Sequence, residues 1–591
     1  MKKIFTILSA AFFSVASIFA QDISYNWALA GGGANADRAA SITSDATGNV
    51  YATGVFQETA TFGNVTLTGA AKGSGANFDN NLFLTKMENG NNTIVWSIYS
   101  NQGAVNPTSV TTTSDGNIIL TGNMRAVKGG ATTNANIIDT EGTETTFEGL
   151  ADAATGIVGF VAKFDANGKK IWINSISSST GKNDVSDVAT DADGNVYIVG
   201  YFDKDVTLPA GDLLTATSTQ SSYIAKLDGN SGNQVWVKTT SGGIKKEDFC
   251  CITADESGIY VAGTFTNQTA PVEITFGGVT LEPSAYPDPV IAKLDKEGNF
   301  AYVQIRKHTL TTSSNTMLKD LVIKDSNLYL SGNFKGELSF SGGNIVSSTN
   351  LNGFISAFDA TTGADIWQNT ASCLALTETS AITVGSDKIF TYGYFYNKTG
   401  ANAGPVDFGG DITLTTGDLN TKGDLFFAVY ALDGAILKAG SIAQGDGSDV
   451  SIAITAVEND IYLFGHFNSV DANGANPLSF YGTSETLSTQ GGFDFFVAKY
   501  TISDFVNSIQ NNVNQDEDNL NIYFEDATIH INGVVATSVE IFNISGHITA
   551  KAAYPQGEEN PELSFAGLNK GVYVVKIKTL SGNTKAAKII F

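Results

Sequence analysis

The chain has 591 residues, a formal net charge of −25 at pH 7 and 42% hydrophobic residues. A chain this acidic is a poor candidate for binding nucleic acid, because that affinity comes mainly from Lys and Arg side chains that neutralise phosphates. Its three cysteines are too few, and odd in number, for a disulfide framework. Stability must therefore come from a large hydrophobic core, for which this length is ample.

Residues 1–20 are predicted to be a secretory signal peptide. Two lysines precede an almost uninterrupted apolar run from Ile4 to Phe19, and the small residue Ala20 precedes a polar stretch. A membrane anchor is disfavoured, because the run is shorter than the ~20 apolar residues that a bilayer span needs. No later segment is long and apolar enough to form a transmembrane helix, so we expect a soluble protein outside the cytoplasm.

The central part of the sequence repeats a unit of two hairpins. In the first hairpin, two β-rich runs flank an Asp/Gly/Asn turn, as in residues 189–200, and a second hairpin follows, as in residues 160–173. The first hairpin recurs at spacings of 61 to 78 residues. Its copies end at Gly54, Gly122, Gly200, Gly263, Gly332, Gly393 and Gly465. Units of four short strands repeated in this way are typical of a β-propeller.

The tryptophans and the N-terminal strand indicate how the units fit together. All five tryptophans occupy one position in the repeat, which favours packing between neighbouring sheets over stacking on a ligand. They are Trp27, Trp96, Trp172, Trp236 and Trp367. The seventh unit lacks a strand of this type, and residues 23–30 supply one ahead of the first unit. We therefore predict an all-β fold in which residues 21–505 form a seven-bladed β-propeller of four-stranded blades, closed by that strand.

The repeat resembles a known family. Its pattern is an acidic residue, a short apolar strand, Asp, Gly-Asn-Val-Tyr and Gly, followed by Phe-Val-Ala-Lys-Phe-Asp, Asn-Gly and Trp. This pattern resembles the bacterial β-propeller repeats often called SBBP repeats, over roughly Asp22 to Tyr500. The resemblance implies a propeller fold and little about activity.

One face of the predicted propeller carries the long loops, and loops on a rigid scaffold are where binding residues tend to lie. An acidic residue introduces the innermost strand of most units on that face. These candidate binding residues are Asp37, Asp184, Asp248, Asp320, Glu378 and Asp449. They form either a ring of carboxylates that holds a cation such as Ca²⁺ or a basic ligand, or acceptors for backbone N–H groups where each loop enters its strand. The second interpretation is favoured, because a residue repeated in a repeat usually serves the repeat.

No catalytic motif accompanies this pattern. The four histidines are scattered, and no Gly-x-Ser-x-Gly elbow, phosphate loop or metalloprotease motif is found. The sequence therefore favours a monomeric binding, adhesion or scaffold protein without a cofactor, whose ligand is an extracellular glycan or protein. The alternative is a secreted polysaccharide hydrolase or lyase that uses loop-face carboxylates, since such pairs leave no fixed spacing. A third possibility is a calcium-dependent propeller.

The sequence changes character after Phe505. Residues 506–518 are rich in Asn, Gln and Asp and are predicted to be a linker. Residues 519–591 contain short, closely spaced strands, which favours a small Ig-like β-sandwich.

Three segments of this C-terminal part, residues 539–546, 568–576 and 585–590, look like parts of the type IX secretion system type A sorting domain. The Pro-Asn-Pro usually found near the start of that domain is absent. The resemblance implies export by the type IX secretion machinery and a secreted or outer-surface location. The residues expected to matter are the turn glycines Gly546 and Gly571, the core residue Tyr573, and Lys588 in the basic-apolar end.

Overall fold

The computed structural model describes most of the chain from residue 23 onward. The described ranges are 23–70, 80–88, 90–126, 133–150, 156–178, 181–240, 244–267, 273–308, 314–340, 343–396, 404–410, 412–414, 423–444, 448–468, 477–502, 521–525, 528–543, 548–564, 572–580 and 584–590. All the regular secondary structure within these ranges is β-strand, which confirms the predicted all-β fold. None of them contains a helix that could span a membrane. The predicted signal peptide and linker lie outside the described residues.

The described residues divide into two compact bodies. The large body comprises Tyr25–Thr501, and the small body contains the strands that follow Ile502. The strands of the first part of the chain are β1 (Ile23–Gly32), β2 (Arg38–Ser44), β3 (Val50–Phe56), β4 (Thr59–Phe62), β5 (Val65–Thr68), β6 (Asn81–Met87), β7 (Ile94–Tyr99), β8 (Ala104–Thr112), β9 (Ile118–Arg125), β10 (Ala135–Ile138), β11 (Glu144–Phe147), β12 (Gly156–Phe164), β13 (Lys170–Ser175), β14 (Ser177–Ser178), β15 (Gly181–Thr190), β16 (Val196–Phe202), β17 (Val206–Thr207), β18 (Leu213–Leu214), β19 (Ser221–Leu227), β20 (Gln234–Thr239), β21 (Lys246–Asp255), β22 (Gly258–Thr266), β23 (Ile274–Phe276), β24 (Val279–Leu281), β25 (Asp288–Leu294), β26 (Phe300–Ile305), β27 (Asn315–Lys324), β28 (Asn327–Phe340), β29 (Gly343–Asp359), β30 (Asp365–Ala371), β31 (Leu376–Val384), β32 (Lys388–Tyr396), β33 (Val406–Asp407), β34 (Thr413–Leu414), β35 (Gly423–Ala431), β36 (Ile436–Gln444), β37 (Ser448–Val457), β38 (Asp460–Asn468), β39 (Leu478–Phe480), β40 (Thr486–Leu487) and β41 (Asp494–Ile502).

These strands hydrogen-bond in groups of four. The groups are I (β2-β3-β6-β7), II (β8-β9-β12-β13), III (β15-β16-β19-β20), IV (β21-β22-β25-β26), V (β27-β28-β29-β30), VI (β31-β32-β35-β36) and VII (β37-β38-β41-β1). Group VII thus takes its fourth strand from the N-terminal end of the chain. Short hairpins between the second and third strands extend some groups, as where β4 pairs antiparallel with β1.

The first strand of each group, called the inner strand here, contacts the inner strands of two other groups. The contacts run β2–β8–β15–β21–β27–β31–β37 and return from β37 to β2. The core lies between consecutive groups. Between groups VII and I, for example, the rings of Phe495 and Phe83 stack with centroids 4.4 Å apart. Burial of large aromatic side chains at each such junction supplies much of the energy that holds the groups together.

The tryptophans lie at these junctions, as the sequence predicts. Each indole N–H donates to a backbone carbonyl in the turn between the third and fourth strands of the following group. Trp236 in group III, for instance, donates to the carbonyl of Lys296 in group IV at 3.1 Å. The other pairs are Trp27 with Gly90, Trp96 with Ala166, Trp172 with Gly229, and Trp367 with Leu432. Each indole, buried in Trp172 and partly buried in the other four, therefore packs and satisfies its donor at the same place.

The small body contains two sheets. Its strands are β42 (Asn521–Glu525), β43 (Thr528–Asn532), β44 (Val535–Asn543), β45 (Ile548–Glu559), β46 (Glu562–Ser564), β47 (Val572–Thr579) and β48 (Thr584–Ile590). The sheet orders are β42-β43-β46 and β45-β44-β47-β48. One core includes Ile529 from the first sheet and Val539 and Val575 from the second. Tyr573 lies in this core, 7% exposed.

Three predicted sorting-domain residues remain besides Tyr573. Lys588 lies in β48, opposite Val574 in β47. Gly546 and Gly571 lie outside the described residues. The Ig-like class of this domain and its predicted start at residue 519 stay predictions.

Candidate functional site

The inner strands share one irregularity, which gives a common frame for their side chains. In every group one inner-strand residue lies opposite the repeated glycine of the second strand, and a β-bulge follows it directly. The pairs are Ala39–Gly54, Pro107–Gly122, Val185–Gly200, Phe249–Gly263, Leu318–Gly332, Thr379–Gly393 and Ser451–Gly465. A Cβ on Gly200 would collide with the carbonyl oxygen of Asp184, and the other six glycines meet the equivalent carbonyl. The repeated glycine is therefore required by this close backbone approach.

The six acidic residues singled out in the sequence occupy three different positions in this frame. Asp184, Asp248 and Glu378 come immediately before the residue opposite the glycine. Asp37 and Asp449 come two residues before it, and Asp320 comes two residues after it. The six residues consequently do not form one ring of equivalent carboxylates. Each class has its own surroundings.

Asp37 and Asp449 belong to the interior. Asp37 is fully buried, and its carboxylate accepts the backbone N–H groups of Gly33 at 2.6 Å and Gln57 at 2.8 Å. Burial raises the pKa of Asp37 to about 7, and the charge of Asp494 raises it further against those two hydrogen bonds. Asp449 is 2% exposed. The geometry at Asp37 is that of a carboxylate that serves the backbone where a loop enters its strand.

Asp320 connects neighbouring inner strands. Its Oδ2 accepts the backbone N–H of Ile382 on β31 at 3.0 Å. The same position in group III is Asp187, whose Oδ2 accepts the N–H of Ile252 on β21 at 2.8 Å and whose Oδ1 accepts the hydroxyl of Ser109 on β8 at 2.7 Å. Burial raises the pKa of Asp320 to about 7 and that of Asp187 to about 6. Sequence reasoning missed Asp187, because Asp184 three residues earlier already filled the expected acidic position.

The remaining three acids are partly exposed and occupy the same position in the frame, in groups III, IV and VI. Asp184 pairs across the strands with Tyr201, and Glu378 pairs with Tyr394. Asp248 accepts hydrogen bonds from Gln220 Nε2 at 3.2 Å and from Lys246 Nζ at 2.7 Å. We use the name polar rim for the partly exposed polar residues at this end of the strands. It consists of Gln57, Asn80, Asn106, Asn123, Asp184, Tyr201, Gln220, Asp248, Glu378, Tyr394 and Tyr396, all of which are partly exposed.

A continuous chain of side-chain hydrogen bonds runs along the rim through groups I, II and III. Gln57 Nε2 donates to Asn80 Oδ1 at 3.1 Å, and Asn80 Nδ2 donates to Asn106 Oδ1 at 2.7 Å. Asn106 Nδ2 then donates to Asn123 Oδ1 at 3.1 Å, and Asn123 Nδ2 donates to Asp184 Oδ2 at 3.0 Å. Each amide has two donor hydrogens and two acceptor lone pairs. Each amide uses one of its two N–H hydrogens in this row of hydrogen bonds. The row therefore fixes the amides in place and leaves further donors and acceptors for a ligand.

The electrostatics of the rim centre on Asp184. Its Oδ1 is buried and has no hydrogen-bond partner among the described residues. Burial raises the pKa of Asp184 to about 7, the hydrogen bond from Asn123 opposes this, and the charge of Asp248 adds to it. Burial, together with the charges of Asp184, Asp248 and Asp203, raises the pKa of Tyr201 to about 12. The Tyr201 hydroxyl therefore stays protonated near neutral pH, whereas Asp184 titrates there.

The rim offers hydroxyl, amide and carboxyl groups to a ligand. Within the ranges that the structure describes, no group of three or more His, Cys, Asp or Glu side chains is arranged to hold a metal ion. What the rim can do chemically is bind partners with many hydrogen-bonding groups, and exchange a proton at Asp184.

Comparison with known sequences identifies the C-terminal part of the chain. Residues 514–591 match a family described as the secretion system C-terminal sorting domain. This finding confirms the predicted sorting domain, which indicates export by the type IX secretion machinery. The protein is accordingly secreted and attached at the cell surface.

Part of the chain is similar to curated proteins. One is an uncharacterized WD repeat-containing protein of Acanthamoeba polyphaga mimivirus, 27% identical over 169 residues, which cover 24% of this chain and 12% of that protein. The match thus spans about an eighth of the length of this curated relative.

Solved structures to which this chain is similar include the quinohemoprotein alcohol dehydrogenase from Comamonas testosteroni and the endosialidase of phage phi92. The dehydrogenase is 11% identical with a TM-score of 0.32, covering 82% of this chain and 77% of that chain. The endosialidase is 9% identical with a TM-score of 0.34, covering 96% and 88%. At these TM-scores neither activity is transferred to this chain.

Proposed function

We propose that this chain is a seven-bladed β-propeller of the SBBP type, displayed at the cell surface as a binding module, and that the polar rim binds an extracellular glycan. The seven four-strand groups are the blades. The return contact between β37 and β2 and the place of β1 beside β41 support a ring closed by the N-terminal strand. The protein acts as an adhesion or scaffold component, not as an enzyme.

The hydrogen-bonded amide chain from Gln57 to Asp184 is the observation that carries the glycan assignment. Sugar hydroxyls are donors and acceptors at once, and a row of fixed amides complements them without charge. The rim also has aromatic rings. Tyr201 lies across the strands from Asp184, the last member of the amide chain, and is partly exposed. A few positioned polar groups beside aromatic side chains are what small-ligand sites commonly contain.

The first experiment is a glycan array with the full mature chain, repeated with the variant Asn106→Ala. This change interrupts the amide chain at its middle, where Asn106 both accepts from Asn80 and donates to Asn123. Losing one hydrogen bond to ligand, together with the order of its neighbours, weakens affinity by about tenfold or more. Circular dichroism and melting of both proteins establish that the variant is folded.

Asn299→Ala is the matched control. Asn299 is exposed in the turn between β25 and β26, where its Nδ2 donates to Asp295 at 2.9 Å, so its loss should leave glycan affinity unchanged. Saturable binding that Asn106→Ala weakens and Asn299→Ala does not would support the proposal. A folded protein that binds no glycan, while capturing a surface protein, would replace the glycan by a protein ligand.

The pair Asp184 and Asp248 favours one second candidate, a polysaccharide hydrolase or lyase. Glycosidases need one carboxyl that is protonated near neutral pH beside one that is ionised. The pKa of Asp184 is raised to about 7, partly by the charge of Asp248. Product release from a polysaccharide panel, abolished in both Asp184→Asn and Asp248→Asn, would establish this activity. Binding without turnover in the wild-type protein would exclude it for those polysaccharides.

A further inference from the structure

Two of the three cysteines are neighbours on an inner strand, and the β-bulge brings their thiols together. In a regular strand, adjacent side chains point to opposite faces of the sheet. Phe249 lies opposite Gly263 and Cys251 lies opposite Ala262, so Cys250 is the extra residue of the bulge in β21. Its side chain consequently shares a side with that of Cys251. The two Sγ atoms are 3.2 Å apart.

The two thiols differ in access. Cys251 is 1% exposed and packs in the core with Leu318 and Leu321. Cys250 is partly exposed, and its Sγ lies 3.6 Å from the carbonyl oxygen of Leu318 on the neighbouring inner strand. Solvent therefore reaches the Cys250 thiol, whereas the Cys251 thiol is buried and in contact with it.

The bulge does not need thiols for its structural role. At the same position in group II, the Thr108 hydroxyl donates to the carbonyl of Val185 on the next inner strand. In group VI, the Ser380 hydroxyl is hydrogen-bonded to that of Ser451 at 2.7 Å. A hydroxyl makes this interstrand bond better than a thiol, which is a weak donor. The Cys250–Cys251 pair is thus not explained by the hydrogen bonding of the fold.

We propose that Cys250 and Cys251 are a redox modification site, at which the two thiols of the exported protein are joined as a reversible vicinal disulfide. Compartments outside the cytoplasm are oxidising, and thiols there are converted to disulfides. The oxidant is another disulfide, carried by a thiol–disulfide oxidoreductase or by a small molecule. Two thiols and one donor disulfide give one new disulfide and one donor dithiol, so two electrons and two protons pass to the donor.

The order of the two steps follows from the surroundings of the thiols. The Cys250 thiolate attacks the donor disulfide, forms a mixed disulfide and releases the first donor thiol. The Cys251 thiolate then attacks Cys250 Sγ and expels the second. The hydrogen bond with Cys250, burial, and the charges of Cys250, Asp187 and Asp320 all raise the pKa of the Cys251 thiol. Cys251 therefore suits the second step, where its target is already in contact.

The bond would be reversible because its geometry is constrained. Adjacent Cα atoms are about 3.8 Å apart across a trans peptide, whereas disulfides usually join Cα atoms about 4.4–6.8 Å apart. Strain of this kind makes a disulfide easier to reduce. The site would thus follow the thiol–disulfide balance at the cell surface.

The test treats the reduced full-length chain with hydroxyethyl disulfide and then counts free thiols under denaturing conditions. We expect the number of alkylated cysteines to fall from three to one, with an intact mass lower by about 2 Da for the two hydrogens removed. Trypsin leaves the pair in the peptide 247–293 and Cys373 in the peptide 336–388, because no Lys or Arg interrupts either. The mass loss should lie in the first peptide, and mild reduction should restore all three thiols.

Two variants in a C250S/C251S background test whether disulfide closure requires the bulge or only two cysteines that are adjacent in sequence. Thr108→Cys with Ser109→Cys places a pair across the bulge of β8, where the first residue is partly exposed and the second is buried, and Thr253→Cys with Ala254→Cys places one in the regular part of β21. The first pair should close, and the second should close about tenfold more slowly or not at all.

Three results would overturn the proposal. They are three free thiols after treatment, a lasting mixed disulfide or disulfide-linked dimer, and equally fast closure of the pair at Thr253 and Ala254.

Discussion

Replacing Asp187 with alanine tests whether carboxyl groups hold the inner strands together. Asp187 accepts the Ser109 hydroxyl from β8 at 2.7 Å and the backbone N–H of Ile252 from β21 at 2.8 Å. The substitution removes the partner of both donors, and each buried donor left without one costs ~1–3 kcal/mol. We therefore expect Asp187→Ala to lower the free energy of unfolding of the large body by ~2–4 kcal/mol near pH 5.

The loss of unfolding free energy in Asp187→Ala should be smaller at high pH than at low pH. Burial raises the pKa of Asp187 from 3.8 to about 6. A carboxyl with a raised pKa stabilises the fold most below its unfolded-state pKa, and this contribution is lost as pH rises through the folded-state value. Since the variant lacks the group, Asp187→Ala should cost about 1–2 kcal/mol less at pH 8 than at pH 5.

Urea denaturation followed by tryptophan fluorescence is the assay. All five tryptophans lie within Tyr25–Thr501, so the signal reports the large body alone. Ser109→Ala is the matched control, because it removes a hydrogen bond that favours the ionised carboxyl of Asp187. Its loss of ~1 kcal/mol should be larger at pH 8 than at pH 5, opposite in sign to that of Asp187→Ala.

A loss for Asp187→Ala that is the same at both pH values, or larger at pH 8, would contradict the reasoning. The reasoning would also be contradicted if the losses of unfolding free energy in Asp187→Ala and Ser109→Ala changed with pH in the same direction. The group that titrates would then not be the Asp187 carboxyl.

Two further predictions concern the stability of the whole protein and its turns. The melting temperature should fall between about pH 5 and pH 8, because several buried carboxyls with raised pKa lose their stabilising contribution there; a flat or rising profile would contradict this. Gly298→Ala should destabilise more than Gly194→Ala in denaturation, although both glycines have positive φ, because a Cβ at Gly298 meets the Trp236 ring at 2.9 Å and one at Gly194 meets nothing within 4 Å. Equal losses would show that only the backbone conformation matters. The carboxyls are Asp37, Asp184 and Asp320, each with a pKa raised to about 7, and Asp187 and Asp494, each with a pKa raised to about 6.

The strands and their packing were largely predictable from the sequence. Apolar, β-rich runs that flank Asp/Gly/Asn turns indicate hairpins from local sequence alone, and here they recur seven times. A large aromatic residue at one place in the repeat, such as Trp236, has few positions in which it is buried with its N–H satisfied. The C-terminal sorting domain was recognised because its motifs are specific.

The candidate site was predicted less well, for a physical reason. A bulge adds one residue to the inner strand and has no clear sequence signature. Asp184 lies before the bulge of its strand and Asp320 lies beyond it, so side chains that look equivalent in the sequence fall at different heights along their strands. The amide chain through Asn80 and Asn106 joins a loop residue to a strand residue, so no repeat spacing reveals it. Hydrogen-bond networks of that kind depend on distances that only the folded chain defines.

The place of β1 beside β41 sets the order in which the large body is completed. Asn26 Oδ1 accepts the hydroxyl of Thr501 at 2.9 Å, and the Tyr25 hydroxyl donates to Glu485 at 2.6 Å, so these contacts join residues 475 and 460 positions apart. Such distant contacts form late and slow the folding reaction. Until they form, β41 keeps an unpaired edge that invites aggregation. The exported protein therefore exposes the edge of β41 until β1 pairs with it late in folding. A factor that shields this edge would increase the yield of folded protein.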